Sequence, residues 1–447
     1  MGRVQTKGWP GAAAAAIAVS LLAGCGGGGE ESSGTAAGTG SQAGEKVKLS
    51  LWHNFTGDDL RARTMRGIMD KFKADHPEIE LDVQSIPPDG YRARLKTVAA
   101  AGEMPDVFMM WPGVMTREFA GGDLLQPIDG LLESKADWKN GFLPGSFDDF
   151  TIDGRIYSAP MGLSPTSILY YNRTLFDKYG VQPPKTWDDL LALVDTFKKN
   201  KVTPIALGNK AAWLAQSSIL SSLADRVTGT EWFLKAAAQD GAKFTDPEFV
   251  QALAYLQQLG QAGAFQDGFN SIDNTQMEQM FAQGKAAMMI DGGWALTSLA
   301  ANASKEALDA MDVTVLPSVP GGKGDPNSLS GVVGTGLGLS KKVEGARREA
   351  AYQLIYAMSG PEAQKATLES NQLVSYKAEL DKSKVSSLFA KAYDLTGRVA
   401  RTPVYDSRLS SAAADVVNNG LQELLMGAKP EDVAKKIQEA QAKSVGK

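Results

Sequence analysis

The 447-residue chain is 43% hydrophobic and 22% charged, a soluble globular balance with length for roughly two or three lobes and a core that needs no disulfide or metal. A net charge of −5 carries no basic footprint and argues against a nucleic-acid partner. With one cysteine, Cys25, there is no disulfide framework.

The N-terminus carries Arg3 and Lys7, then an apolar run from Ala12 to Ala23 broken only by Ser20. A cationic end, a short apolar stretch and small residues at its boundary make a signal peptide over residues 1–24, too short for a permanent span. The boundary, Leu22-Ala23-Gly24-Cys25, resembles the bacterial lipobox. That likeness implies cleavage before Cys25 and a diacylglycerol on its thiol, the one side chain able to form the thioether. Residues 26–44 read GGGGEESSGTAAGTGSQAG and cannot fill a core, so 25–44 reads as a lipidated cysteine plus a flexible tether.

The body opens on Lys46 to Trp52, where Val47, Leu49 and Leu51 alternate as a strand. Thr56 with Asp59 has the spacing of a capping box. Leu60, Met65, Ile68, Met69 and Phe72 then follow at helical spacing, and His76-Pro77 closes the helix. Ile79, Leu81 and Val83 alternate again, a helix follows Pro88, and Val107 to Trp111 forms a continuous apolar strand. Strand, helix, strand, helix, strand is an open α/β sheet, whose ligands sit off the carboxyl ends of the strands. Trp52-His53-Asn54 and Trp111-Pro112-Gly113 fall there.

Helical patterns dominate the middle: 190–198 behind the cap Thr186, 214–223, 247–259 and 276–283. A buried strand, Ala286 to Ile290, leads into Asp291-Gly-Gly-Trp294; strand character returns at 313–316 and 331–339, and helices at 345–358, 361–368 and 430–442. The Gly-Thr-Gly-Leu-Gly run ending at Gly338 has neither the acidic partner nor the βαβ setting of a nucleotide loop and reads as a close-packed strand.

Ordered landmarks carry a family resemblance: Met104-Pro-Asp-Val-Phe with Trp111, Gly122-Asp-Leu-Leu-Gln-Pro, Gly154 through Pro160, Leu169-Tyr-Tyr-Asn172, Pro183-Pro-Lys-Thr-Trp187, Phe281-Ala-Gln-Gly-Lys285, Asp291-Gly-Gly-Trp294 and Leu316-Pro317. After residue 45 the chain resembles the extracellular solute-binding proteins of ABC importers, in the sugar-binding group of maltose- and raffinose-type binding proteins. The resemblance implies a two-lobed periplasmic-binding-protein fold, type II-like, each lobe an open β-sheet flanked by helices with the ligand cleft between. It implies lobe 1 over 45–163 and 305–360 and lobe 2 over 164–304 and 361–447. It also implies hinge closure, a monomer on the outer face of the cell membrane, and partner permease subunits. The sequence has no ATPase motif, so the ATPase is a separate chain.

A sugar offers flat C–H faces and a rim of hydroxyls, so its site wants aromatic planes with amides and carboxylates. Trp111, Trp294 and Trp213 are the expected stacking groups, on the strength of the resemblance; the competing reading is core indoles bonded to backbone. Asn54 is a candidate amide or a cap, Tyr91 approaches from the first lobe in relatives, and Asp291 accepts two hydroxyls or serves its own turn. His53 is a possible ligand hydrogen-bonder, though a lone histidine at a strand end is more often structural. Trp138 and Trp187 read as structural. No zincin, serine-hydrolase or Walker motif occurs, and no metal or cofactor is expected. The leading expectation is a non-enzymatic sugar-binding lipoprotein. A binder of polyol phosphate, polyamine or an anion, kept open by Arg92, Arg94 and Lys210, and a secreted glycoside hydrolase or adhesin are the alternatives.

Overall fold

The chain is described by a computed structural model covering residues 46–445. The expected signal peptide and tether, with Cys25, lie outside the described residues.

In chain order the first strands are β1 (Val47–His53), β2 (Ile79–Ser85), β3 (Val107–Met110), β4 (Leu125–Gln126) and the small hairpin β5 (Thr151–Ile152) and β6 (Arg155–Ile156). There follow β7 (Ser164–Pro165), β8 (Ile168–Asn172), β9 (Thr203–Ala206), β10 (Ala286–Asp291) and β11 (Met311–Thr314). The last are β12 (Ser328–Val332), β13 (Gly336–Ser340) and β14 (Ala400–Thr402).

Two sheets build two lobes. The first runs β2-β1-β3-β13-β4, with β1 parallel to β2 and β3 and with β13 antiparallel to β3. The second runs β11-β8-β10-β9. Each sheet has its own apolar core, one gathering Leu49, Met65, Phe108, Trp138, Leu337 and Leu354, the other Leu169, Trp187, Phe249, Met288, Phe389 and Val417.

The helix after β1 is Leu60–Asp75, and its N-cap is Asp59, whose carboxylate accepts from Ala62 N at 2.9 Å. Thr56, expected as the cap, lies three residues early. Thr186 does cap Trp187–Lys199, in a full capping box with Asp189.

The lobe boundary needs a correction. Residues 305–330 pack with the second lobe, not the first: β11 pairs with β8, and Leu308, Val313, Leu316 and Leu329 join the second core. The chain re-enters the first core at Val333. The stretch expected as one strand over 331–339 is therefore two. β12 pairs with β7 and β14 at the lobe junction, and β13 belongs to the first sheet. Between them Gly334 has φ +89°, and a Cβ there would sit 2.4 Å from Gly162 O in the segment before β7; only glycine fits.

Candidate functional site

The carboxyl ends of β1 and β3 face the second lobe, and along that seam the lobes touch. Asp59 Oδ1 lies 3.4 Å from Thr297 Oγ1. Arg92 pairs with Asp406 at 3.1 Å and Asp149 with Arg408 at 2.8 Å. Ser411 Oγ donates to Glu118 Oε2 at 2.7 Å. Asp59, Arg92, Glu118 and Asp149 come from the first lobe; Thr297, Asp406, Arg408 and Ser411 come from the second. Gly113, at φ +82°, brings its backbone so close to Ser407 O that a Cβ would stand 2.4 Å from it. This is a closed arrangement, clasped on one side by the Tyr405–Ser411 segment.

Trp213 and Trp294 meet at the seam with ring centroids 5.6 Å apart and planes at 68°. Both are half-buried. Trp213 is placed by a braced loop: buried Asn209 accepts from Ala215 N at 3.1 Å and donates to Asn270 Oδ1 at 3.0 Å. Directly after it, Ala215–Leu220 is a fully buried π-helix, a form often found at functional positions. Ser217 O in that segment accepts from Thr166 Oγ1 at 2.9 Å, and Thr166 meets Ser330 Oγ of β12 at 2.8 Å. The Trp213 loop is thus tied to the strands where the chain crosses between lobes.

Asp291 ends β10 fully buried. It accepts from Gly292 N at 2.8 Å and from Asn274 Nδ2 at 2.8 Å. Its turn role is thus realised, and no face is open to solvent. Glu278, on the helix Asn274–Ala282, is likewise buried, and its carboxyl group interacts electrostatically with that of Asp291. Burial pushes Asp291 up to about 7, against the pull of Gly292 N–H and Asn274. Burial first, then the charge of Asp291, raises Glu278 well above the carboxylate range. The Trp294 indole favours the ionised form of Asp291, and its Nε1 is buried with no hydrogen-bond partner among the described residues. Arg61, whose Nη2 donates to Thr335 Oγ1 at 3.1 Å, is lowered to about 10 by burial.

Two expected ligand contacts are overturned. Tyr91 is fully buried, with its hydroxyl 2.9 Å from Met109 O and 3.0 Å from Trp52 O; it is a core residue bracing Trp111 at 5.7 Å between centroids. His53 is buried, its Nδ1 accepts from Phe55 N at 3.0 Å, and its ring stacks on Phe55. It shapes the turn after β1. Asn54 is half-buried at the end of β1. Trp111 is half-buried with the Arg92 guanidinium 4.3 Å from its ring centre. The indoles of Trp138 and Trp187 are buried and bonded to Ser359 O and Gln258 Oε1, as expected of structural residues.

Sequence reasoning missed Glu278, Arg61, Asp406 and Arg408. For Glu278 a signal existed: it shares the apolar face of Met277 and Phe281 on one helix, an unusual place for a carboxylate. The others depend on contacts across hundreds of residues.

Two sheet-and-helix lobes joined by several crossings, with aromatics and carboxyl groups on the facing surfaces, define a solute receptor of the hinged two-lobed class. The family described as bacterial extracellular solute-binding protein matches residues 58–365, and the chain belongs to it. The chain is 27% identical over 241 residues to a multiple sugar-binding protein of Streptococcus mutans, covering 53% of this chain and 55% of the relative. An ABC transporter extracellular-binding protein of Pyrococcus horikoshii matches at 25% over 286 residues, 63% of this chain and 62% of the relative. The chain thus spans somewhat over half the length of these curated relatives. Among solved structures, one from work on xylan utilization by Caldanaerobius polysaccharolyticus superposes with a TM-score of 0.81 at 28% identity, covering 88% of this chain and 99% of that one. A chitin oligosaccharide binding protein gives 0.82 at 25%, covering 89% and 99%.

Proposed function

We propose that this protein captures a neutral sugar, an oligosaccharide in particular, between its lobes outside the cytoplasmic membrane and delivers it to the permease of an ABC importer. The Trp213–Trp294 corner at the seam carries this reading. Two half-buried indoles set edge to face offer a plane and an edge to sugar C–H surfaces, and the unpartnered Trp294 N–H is a donor for a hydroxyl. The relatives whose names specify sugar or chitin oligosaccharide binding support it. The signal sequence and Cys25 further argue for export and a lipid anchor.

A phosphate or other anionic ligand is disfavoured, because Arg92 is engaged by Asp406 and Trp111 while Asp59, Glu278 and Asp291 crowd the same seam. Hydrolysis of a glycoside is disfavoured as well. It needs two carboxyl groups facing each other across roughly 5–10 Å with the substrate between them, whereas Glu278 and Asp291 are both buried within one lobe.

A disaccharide of about 23 non-hydrogen atoms at ~0.3 kcal/mol each gives about −7 kcal/mol, or micromolar affinity. Calorimetric titration against maltotriose, raffinose, xylotriose and triacetylchitotriose tests the proposal: saturable binding of at least one without release of reducing sugar is expected. Silence from all four, or turnover of any, sinks it.

A further inference from the structure

The clasp owes its place to the π-helix behind Trp213. Its helical part, Tyr405–Arg408, begins after Val404, which has no side-chain acceptor to offer the first turn. The acceptor comes instead from Ser221, directly after the π-helix: Tyr405 N donates to Ser221 Oγ at 3.1 Å.

Ser221 is held for this task by Gln216. Its Oγ donates to Gln216 O at 2.9 Å and accepts from Gln216 Nε2 at 3.1 Å. One donated and two accepted bonds use the whole capacity of a hydroxyl, so the group cannot rotate without breaking one. The π-turn makes the arrangement possible. Five positions along an α-helix lie about 140° apart around its axis, whereas here Ser221 N bonds Gln216 O and the two side chains meet. Gln216, Ser221 and Tyr405 are fully buried, so water does not compete for these bonds. The Tyr405 ring stacks on Phe233 at 3.9 Å between centroids and fixes the depth of the clasp. The Ser221 bond fixes the direction of the main chain that follows.

That direction brings Ser407 O against the Gly113 backbone and aims Asp406 at Arg92 and Arg408 at Asp149. All three contacts cross the seam. The Ser221–Tyr405 bond does not, since both residues belong to the second lobe. The clasp is therefore ordered before the first lobe arrives, and closure does not bear the cost of ordering it. The same buried segment follows Trp213, and its Ser217 O holds Thr166 where the chain crosses between lobes. Stacking ring, crossing and clasp share one mount.

We infer that Ser221 is a positioning residue for solute retention: its hydroxyl preorganises the clasp, so that the closed lobes part more slowly and the sugar stays bound longer. Ser221 acts through Tyr405, not on the sugar.

Ser221 acts in this way only if a sugar is captured by lobe closure, as proposed above, and the experiment keeps the two apart. Stopped-flow tryptophan fluorescence gives association and release rates for whichever of maltotriose, raffinose, xylotriose and triacetylchitotriose binds. Ser221→Ala is expected to release sugar about three- to tenfold faster, the worth of one buried hydrogen bond, with association changed by less than about twofold. In an Asp406→Asn background the same substitution should accelerate release by about twofold or less, because both act on one clasp. Unchanged release, or full acceleration in that background, overturns the inference and leaves the sugar reading standing. A second measurement needs neither sugar nor variant. In the solute-free protein the Tyr405 amide should exchange its proton about tenfold or more slower than in an unfolded chain. An unprotected amide there overturns the inference even if Ser221→Ala does not fold. If none of the four sugars binds, the sugar reading fails. Ser221→Ala is then expected to speed exchange at Tyr405 by about three- to tenfold with the amides of β8 and β10 unchanged, and equal rates at Tyr405 overturn the inference.

Discussion

Trp213 and Trp294 stand edge to face, their ring centroids 5.6 Å apart, although 81 positions separate them in the chain (294 − 213). One is set by the loop before the π-helix and the other by the turn after β10. Such pairs are worth about 0.5–1.5 kcal/mol beyond the area they bury. Replacing either by alanine removes a stacking surface and frees the partner to rotate. Trp213→Ala and Trp294→Ala are each expected to weaken sugar binding by more than about 1 kcal/mol, measured by calorimetry with circular dichroism to check the fold. Because the rings touch, the double variant will lose less than the sum of the singles.

The Tyr405–Ser411 segment holds the closed lobes through Arg92–Asp406, Asp149–Arg408 and Glu118–Ser411. Arg92 and Arg408 are partly solvated, so each ion pair is worth roughly 0.2–1 kcal/mol. Asp406→Asn is expected to weaken sugar affinity by up to about fivefold, chiefly through faster release, since the pair forms only after the lobes meet. Stopped-flow release in low and high salt checks this. The variant should also lose part of the salt dependence of the unaltered protein, and exchanging the two charges, Arg92→Asp with Asp406→Arg, should restore it.

His53 reports on stability rather than on solute. Burial, then the positive charges of Arg66 and Lys73, lower its imidazole from 6.5 to about 4. Above pH 6.5 both folded and unfolded chains keep it neutral. Between that value and about 4 only the unfolded chain takes up the proton, so stability falls with falling pH, by up to about 3 kcal/mol in all. Denaturant unfolding from pH 7 to pH 4 should show this acid limb. His53→Asn, whose amide oxygen can replace Nδ1 as acceptor for Phe55 N–H, should flatten it.

Cys25 is the test of anchorage. Cys25→Ser removes the thiol that would carry the lipid. Expressed in a bacterium with lipoprotein processing, the unaltered chain is expected to incorporate labelled fatty acid and sediment with membranes, and the variant to do neither. Equal recovery in the membrane fraction would remove the lipid-anchor proposal without touching solute capture.

Local pattern was sufficient wherever neighbouring residues decide the outcome. The alternation of Val47, Leu49 and Leu51 marked β1, and the apolar run from Val107 marked β3. Thr186 was legible as a cap because its partner, Asp189, lies three residues away. The Thr56 expectation failed on the same local scale, since Asp59 offers the Ala62 N–H an acceptor directly. Resemblance, rather than periodicity, supplied the two lobes and the aromatic positions Trp213 and Trp294.

Tertiary structure decided what depends on distant partners. Residues 305–330 follow the second lobe because β11 finds an open edge on β8; no property of Met311–Thr314 alone names that edge. Tyr91 turns inward because two backbone carbonyls, of Trp52 and Met109, converge on its hydroxyl. Asp291 looked like a solitary turn aspartate until the fold buried it beside the Asn274 amide of a helix that also carries the buried Glu278. The sequence by itself determined the strand and helix alternation and, through resemblance, the family. The seam and its clasp come from long-range packing, because a side chain's partners and its dielectric surroundings exist only once the chain has folded.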